Sequence, residues 1–222
     1  MKPLAAYIKS LQVGFDPEKQ QDVPEILGYI LKLLNQVPTV PSNFFTSTLQ
    51  VTTSCNVCFS DSVKEERHNI IKLQVSESVA GSFLNFLADE PVLGINCTHC
   101  GRPQEGTRWA KFTGAPSLLF LQLMRFSFVG GSFTQKNTAE VFCNERITIR
   151  LGDEMDLERS RAVYKLTSII SHSGSLNSGH YIIQGVCENS GNKFLCNDTH
   201  VSAVKTFDMS NAYLLVYQRI SH

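Results

Sequence analysis

The chain has 222 residues, enough for one large domain or two small ones with a real core. Lys+Arg and Asp+Glu number 20 each, so the formal net charge is zero, and the electrostatic footprint of a nucleic-acid binder is absent. No apolar run is long enough to span a membrane, and residues 1–9 carry basic groups without the sustained apolar stretch of a signal peptide.

In chain order, the first readable element is a helix. Asp22-Val23-Pro24-Glu25 has the form of a capping box: Asp22 at the N-cap, Pro24 in the first turn where its missing N–H is harmless, Glu25 reaching back. Ile26, Leu27, Ile30, Leu31, Leu33 and Leu34 follow as a helical apolar face, and Pro38, Pro41 and Ser42 stop it. From Phe44 onward the pattern is mostly strands: 48–53 and 69–75, then 118–126, nearly all apolar, as a strand buried on both faces requires. Residues 79–88 predict a short helix. Gly130-Gly131 marks a turn. Further strands are predicted over 164–170, 180–186, 193–196 and 212–217, the second and third joined by the polar turn 188–192. A helix followed by many strands implies an α+β architecture.

The seven cysteines include two Cys-x-x-Cys pairs, Cys55/Cys58 and Cys97/Cys100. That doubled spacing favours metal over disulfides and a reducing compartment, hence an intracellular location in cytoplasm, nucleus or both. Each pair makes a knuckle that aims two thiolates at one point, and two knuckles close a tetrahedral four-cysteine zinc site. A closed site has no open position, so the metal is expected to be structural. His99 lies between two ligands and reads as a surface imidazole. Cys187 and Cys196, at the ends of apparent strands, read as small apolar core residues and Cys143 as strand packing, none of them opening a helix that would activate a thiol.

The remaining constellation is Gly179-His180-Tyr181 at the mouth of a Gly/Ser/Asn loop, followed by Asn197-Asp198. A thiol nucleophile needs a histidine to take its proton, and that histidine needs an orienter on its other nitrogen. Gly179 removes a side chain where a substrate strand could pass. Tyr181 can pack beside the imidazole. Asn197 or Asp198 can accept from its second nitrogen. Residue type and spacing equally allow His180 to be a satisfied surface or core residue.

Several segments together resemble the ubiquitin-specific protease family of cysteine deubiquitinases. Gln20-Gln21-Asp22-Val23-Pro24-Glu25-Ile26-Leu27 is similar to that family's Gln-Gln-Asp box. The two cysteine pairs match its fingers zinc site, and residues 116–126 match its Leu-x-Leu-Lys-Arg-Phe strand. His172-Ser173-Gly174 and Gly179-His180-Tyr181 match its histidine box. Residues 197–201 match its Asn-Asp-Ser-x-Val segment, and 212–217 its closing Ala-Tyr-x-Leu-x-Tyr strand.

The resemblance implies an incomplete thumb–palm–fingers fold, largely antiparallel β, in a single partial domain over 1–222. Residues 1–43 would be a residual helical thumb segment, 44–112 the fingers with the zinc site, and 113–222 the palm with the histidine box. It implies ubiquitin or a ubiquitinated protein as partner. His180 would be the general base, Asn197 its orienter and Asp198 a second polar group nearby. Asp22, Glu25 and Tyr181 would line the channel for ubiquitin's basic tail. The family's cysteine box lies upstream of the Gln-Gln-Asp box, and nothing in residues 1–19 fits it. The expectation is therefore a domain that lacks its thiol nucleophile and does not hydrolyse conjugates alone. The alternative is a catalytically dead ubiquitin-binding or scaffold module.

Overall fold

A computed structural model describes residues 21–129, 132–152, 160–175 and 178–221. Among these lie two helices, α1 (Val23–Leu34) and α2 (Val79–Leu87). The strands in chain order are β1 (Ser47–Cys55), β2 (Asp61–His68), β3 (Ile70–Gln74), β4 (Glu90–Cys97), β5 (Arg102–Gly114), β6 (Leu118–Met124) and β7 (Phe126–Val129). They continue as β8 (Ser132–Lys136), β9 (Arg146–Arg150), β10 (Arg161–Gly174), β11 (Gly179–Val186), β12 (Lys193–Asn197), β13 (His200–Val204) and β14 (Ala212–Ser221). The turn predicted at Gly130-Gly131 lies outside the described residues. No helix among the described residues is long and apolar enough to cross a membrane.

The strands form two main sheets. One has four strands in the order β2-β1-β5-β4. The other has eight: β13-β12-β11-β10-β14-β6-β3, with β9 on the same edge of β10 that further along carries β11. Every pairing is antiparallel except β3 with β6. That exception matters for the expected fingers segment 44–112. β3 lies inside it in sequence but joins the larger sheet, and α2 packs over that sheet with it. The β7–β8 hairpin stands apart as a two-stranded ribbon.

β6 shows why this order forms. Leu119, Leu121 and Leu123 are fully buried in the larger core with α2, β9 and β14. Phe120, on the alternate face, packs with Leu31 of α1 and Leu214 of β14. A strand with apolar side chains on both faces must be covered twice, by α2 on one side and α1 on the other. Each of those leucines contributes on the order of 2 kcal/mol of transfer free energy. The expected strand 118–126 is broken at Arg125, whose N–H turns back to the Leu123 carbonyl at 2.8 Å. Leu49 of β1 and Phe112 of β5 belong to the same core, and Phe112 stacks on Phe83 of α2 at 5.4 Å. The base of the small sheet is thus rooted in the large one.

α1 begins at Asp22, as its sequence predicts, and ends at Asn35, whose side chain donates to Thr46 Oγ1 and Asn69 Oδ1. The capping box does not form. The Asp22 side chain makes no cap hydrogen bond, and Glu25 accepts instead from Tyr29 at 3.4 Å. Asp22 is drawn away by two tyrosines of the large sheet.

Four tyrosines are locked in this sheet. Tyr164 donates to the Pro116 carbonyl, Tyr217 to the Asn144 carbonyl, and Tyr181 and Tyr213 to Asp22. Burial pushes all four phenols well above their ordinary range. An acid whose pKa is raised by folding contributes stability that is complete below its unfolded pKa and is lost as pH rises through the folded one. Stability should therefore be flat toward neutrality and fall above about pH 10. Urea midpoints measured between pH 8 and 11 would check this, with the absorbance of four of the six tyrosinates appearing only on unfolding. Reversible ionisation of more than two tyrosines in the folded chain would contradict it.

Candidate active site and metal-ligand cluster

The histidine loop is held by geometry before chemistry. β10 and β11 form a hairpin whose last pair is Gly174↔Gly179. His172 is buried on β10, its ring 4.5 Å from that of Tyr181 and 5.5 Å from that of Phe126. A side chain at 179 would overlap the His172 imidazole and come within 2.7 Å of the Ser173 carbonyl oxygen. Gly179 is therefore required by the packing of His172; the space its missing side chain leaves is filled. Burial, and then the nearby Lys136 ammonium, hold His172 below the usual histidine range, so it stays neutral. Lys136 donates to the His172 and Gly174 carbonyls at 2.6 and 3.2 Å and clamps the loop from the β7–β8 ribbon. Gly179→Ala should force these groups apart and cost about 2–3 kcal/mol, the range for an overpacked core. A denaturation midpoint within error of the parent protein would refute that account.

His180 points outward, about half exposed. β11 pairs with β12 as far as Ile183↔Cys196, and just past that pair His180 Nε2 meets Asn197 Oδ1 at 2.7 Å. An amide oxygen only accepts, so Nε2 carries a proton, and Nδ1 is the ring nitrogen left to exchange one. Among the described residues nothing hydrogen-bonds Nδ1. Asp198 Oδ2 stands 4.0 Å from Nε2, at the edge of ion-pair distance, and is largely exposed. Asp198 adopts φ 52 in the two-residue turn before β13, a conformation Asp tolerates better than most side chains. The arrangement is an imidazole oriented by an amide through Nε2, with Nδ1 left outside that contact.

Asp22 links α1 to this hairpin. Tyr181 Oη donates to Asp22 Oδ1 and Tyr213 Oη to Asp22 Oδ2, each at 3.0 Å, and Gln122 Nε2 donates to Tyr213 Oη at 3.0 Å. The Tyr181 hydroxyl is spent in this contact. Tyr213, Gln122 and Lys136 escaped sequence reading: Tyr213 sat in a matched strand with no role assigned, and the other two carried no signal. Glu25 is exposed on the first turn of α1.

No cysteine among the described residues hydrogen-bonds His180. Cys143 is buried, and burial pushes its thiol up to about 11. Cys187 is exposed, which corrects its reading as a core residue. It starts the turn after β11, where its N–H reaches the Asn192 carbonyl and its carbonyl takes the Gly191 N–H.

The other cluster sits where β1–β2 and β4–β5 turn. The sulfurs of Cys55, Cys58, Cys97 and Cys100 lie within 4.8 Å of one another and could hold a metal ion. Cys58–Cys97 are 3.5 Å apart and Cys55–Cys100 3.9 Å. A tetrahedral Zn–S shell implies sulfur separations of about 3.8 Å, so the donors fit. The two knuckles are built alike: the Phe59 N–H returns to the Cys55 carbonyl and the Gly101 N–H to that of Cys97. Both residues after the second cysteine have positive φ, 58° at Phe59 and 67° at Gly101. Glycine adopts this freely; Phe59 holds it under strain because the cluster fixes the loop. Ser60, unnoticed in the sequence, lies 3.1 Å from Cys58 Sγ and 3.4 Å from Cys97 Sγ. His99 is exposed and outside the cluster.

A family described as ubiquitin carboxyl-terminal hydrolase matches residues 2–217. Ubiquitin carboxyl-terminal hydrolase 26 of Oryza sativa subsp. japonica is 28% identical over 216 residues, covering 89% of this chain and 20% of that protein. Ubiquitin carboxyl-terminal hydrolase 21 of Mus musculus is 31% identical over 146 residues, 64% of this chain and 25% of that protein. Among solved structures, the fold is similar to a chain of the SAGA Ubp8/Sgf11/Sus1/Sgf73 DUB module bound to ubiquitin aldehyde. The TM-score is 0.78 at 24% identity, covering 91% of this chain and 50% of that one. This chain thus spans only a fraction of the length of the relatives it matches.

Proposed function

This chain belongs to the ubiquitin carboxyl-terminal hydrolase family, and we propose that it carries the base-and-orienter half of a deubiquitinase catalytic domain. The reaction is hydrolysis of the bond after ubiquitin's C-terminal glycine. His180 Nδ1 takes the proton of a thiol, the thiolate adds to the glycine carbonyl, and the imidazolium returns the proton to the leaving amine. Water, deprotonated by the same nitrogen, then releases the acyl group. Asn197 keeps the ring in the required tautomer, and Asp198 supplies negative potential beside the imidazolium. The single observation that carries this reading is the 2.7 Å contact between His180 Nε2 and Asn197 Oδ1, which leaves Nδ1 basic and unblocked.

The thiol is not one of the seven in this sequence. Four belong to the knuckle cluster, Cys143 is buried, Cys187 lies at the far end of β11 from His180, and Cys196 pairs across from Ile183. Zinc is the metal we assign to the cluster, because four soft thiolates in a closed tetrahedron suit it and leave no catalytic position. Bound there, it ties the two hairpin tips together. Ubiquitin is the partner, with its globular part against the small sheet and its basic tail passing Glu25 and the remaining lone pairs of Asp22. A reducing intracellular compartment suits seven free thiols.

The test is a titration of isotopically labelled ubiquitin with the zinc-loaded chain. Tail and surface resonances should shift. Glu25→Lys should weaken binding more than Glu188→Lys, whose site lies at the opposite end of β11 from His180. An electrophilic ubiquitin probe should label none of the seven cysteines. If no ubiquitin resonance moves, the reading fails. If labelling occurs and disappears in His180→Ala, the nucleophile lies within this chain after all.

A further inference from the structure

At the same end of the large sheet as the histidine loop, a cavity of about 440 Å³ opens between the ends of β3 and β6 and the β7–β8 ribbon. Its walls include Gln74, Ser127, Gln135, Lys136 and Thr138, with Arg125 at its floor. The charge there is one-sided. Arg125 and Lys136 supply two cations, and among the described residues no carboxylate lines the cavity.

Among the described residues neither cation meets an acid. Arg125, only 1% exposed, spends Nε on the Ala212 carbonyl and Nη1 on those of Asn137 and Ala139. Its Nη2 is buried with no hydrogen-bond partner. Lys136 donates only to the main-chain carbonyls of His172 and Gly174. Carbonyl dipoles satisfy hydrogen bonds without cancelling net charge, and a buried charge without a counterion is costly. Partial burial, and then the Arg125 guanidinium, depress the Lys136 ammonium. An anion in the cavity would relieve both.

We propose that this cavity binds a small oxyanion, of carboxylate or phosphate type, held by Lys136 Nζ and the Thr138 hydroxyl above the Arg125 guanidinium, with the Ser127 hydroxyl exchanging its long 3.4 Å bond to the Gln135 carbonyl for one to the anion. Nη2 is covered, so Arg125 acts by its field and Lys136 by contact. The site shares Lys136 with the clamp on the histidine loop, includes neither His180 nor Asn197, and needs no ubiquitin.

Inorganic phosphate titrated into the purified chain at constant ionic strength tests it, with acetate as a parallel arm. The Lys136 ε-methylene resonances should shift saturably and the thermal midpoint should rise. Saturation by phosphate alone assigns a tetrahedral ligand, and saturation by acetate alone a planar carboxylate. Lys136→Gln should abolish the effect. Ser127→Ala, on an exposed strand position that should not disturb folding, should weaken binding about tenfold. The proposal is overturned if neither anion gives a saturable shift, or if the shift survives unchanged in Ser127→Ala and in folded Lys136→Gln.

Discussion

Removing zinc from the four-cysteine cluster, or replacing Cys55 by Ser, is expected to unfold the distal half of the small sheet while the large sheet stays folded. The reason is the poverty of the outer sheet. All of β2 from Asp61 to Glu65 is exposed, and β4 buries only Cys97 fully. β1 and β5 are rooted in the main core through Leu49 and Phe112, but the far ends of both hairpins meet at the thiol cluster. Structural zinc in small peptides is worth about 10 kcal/mol or more, far beyond what such exposed strands supply by burial. Amide exchange should show protection lost across Val51–Arg67 and Glu90–Arg108 and kept in β6, β10 and β14. Metal analysis of pure protein should give one zinc per chain. Protein without zinc, together with Cys55→Ser showing unchanged exchange, would remove the metal from this account.

Arg125→Leu is the second large effect. The guanidinium joins two separate segments through three carbonyls: the start of β14 at Ala212 and the exit from the β7–β8 ribbon at Asn137 and Ala139. Leucine fills much of the volume but donates nothing, leaving the carbonyl of buried Ala212 and those of Asn137 and Ala139, both exposed residues, without that donor. At about 1–3 kcal/mol for the buried group and less for the two that water can reach, the loss should be on the order of 3 kcal/mol, offset in part by removing an unpaired charge. That corresponds to a fall of roughly 6–12 °C in Tm for a domain of this size. Arg125→Lys should recover little, because a single ammonium cannot span three acceptors in a fixed fork. Scanning calorimetry decides it. A Tm within 2–3 °C of the parent protein, about 1 kcal/mol on the same scale, would mean that the carbonyls find other donors.

Much of the fold was legible in the sequence where burial is two-sided or periodic. The run 118–124 demanded cover on both faces and has it, and the helix starting at Val23 and the strand pairs flanking the Asn192 turn lie close to where their patterns put them. The strands that escaped are β2, β4, β5, β7, β8, β9 and β13. β2 reads Asp-Ser-Val-Lys-Glu-Glu-Arg-His because it is an exposed edge, where charge discourages further pairing and no apolar alternation is needed. β5 mixes Gly, Pro and charged residues, since only its inner end reaches the core.

At the candidate site, sequence alone determined which residues have chemistry. The doubled Cys-x-x-Cys spacing singled out four thiols, which the fold brings within 4.8 Å of one another, and the histidine loop singled out His180 and Asn197, whose side chains meet at 2.7 Å, because ligand and proton-transfer chemistry restrict residue type and local spacing. Only the tertiary structure decided what each side chain spends its bonding on. Asp22 looked like a helix cap and is held instead by Tyr181 and Tyr213, 159 and 191 residues away in sequence. Gly179 looked like room for a substrate and is room for His172. Arg125 looked like part of a strand and breaks it. A carboxylate, a missing Cβ or a guanidinium is satisfied by whichever partner chain closure brings within about 3 Å, and pairings across so many residues leave no periodic trace in the sequence.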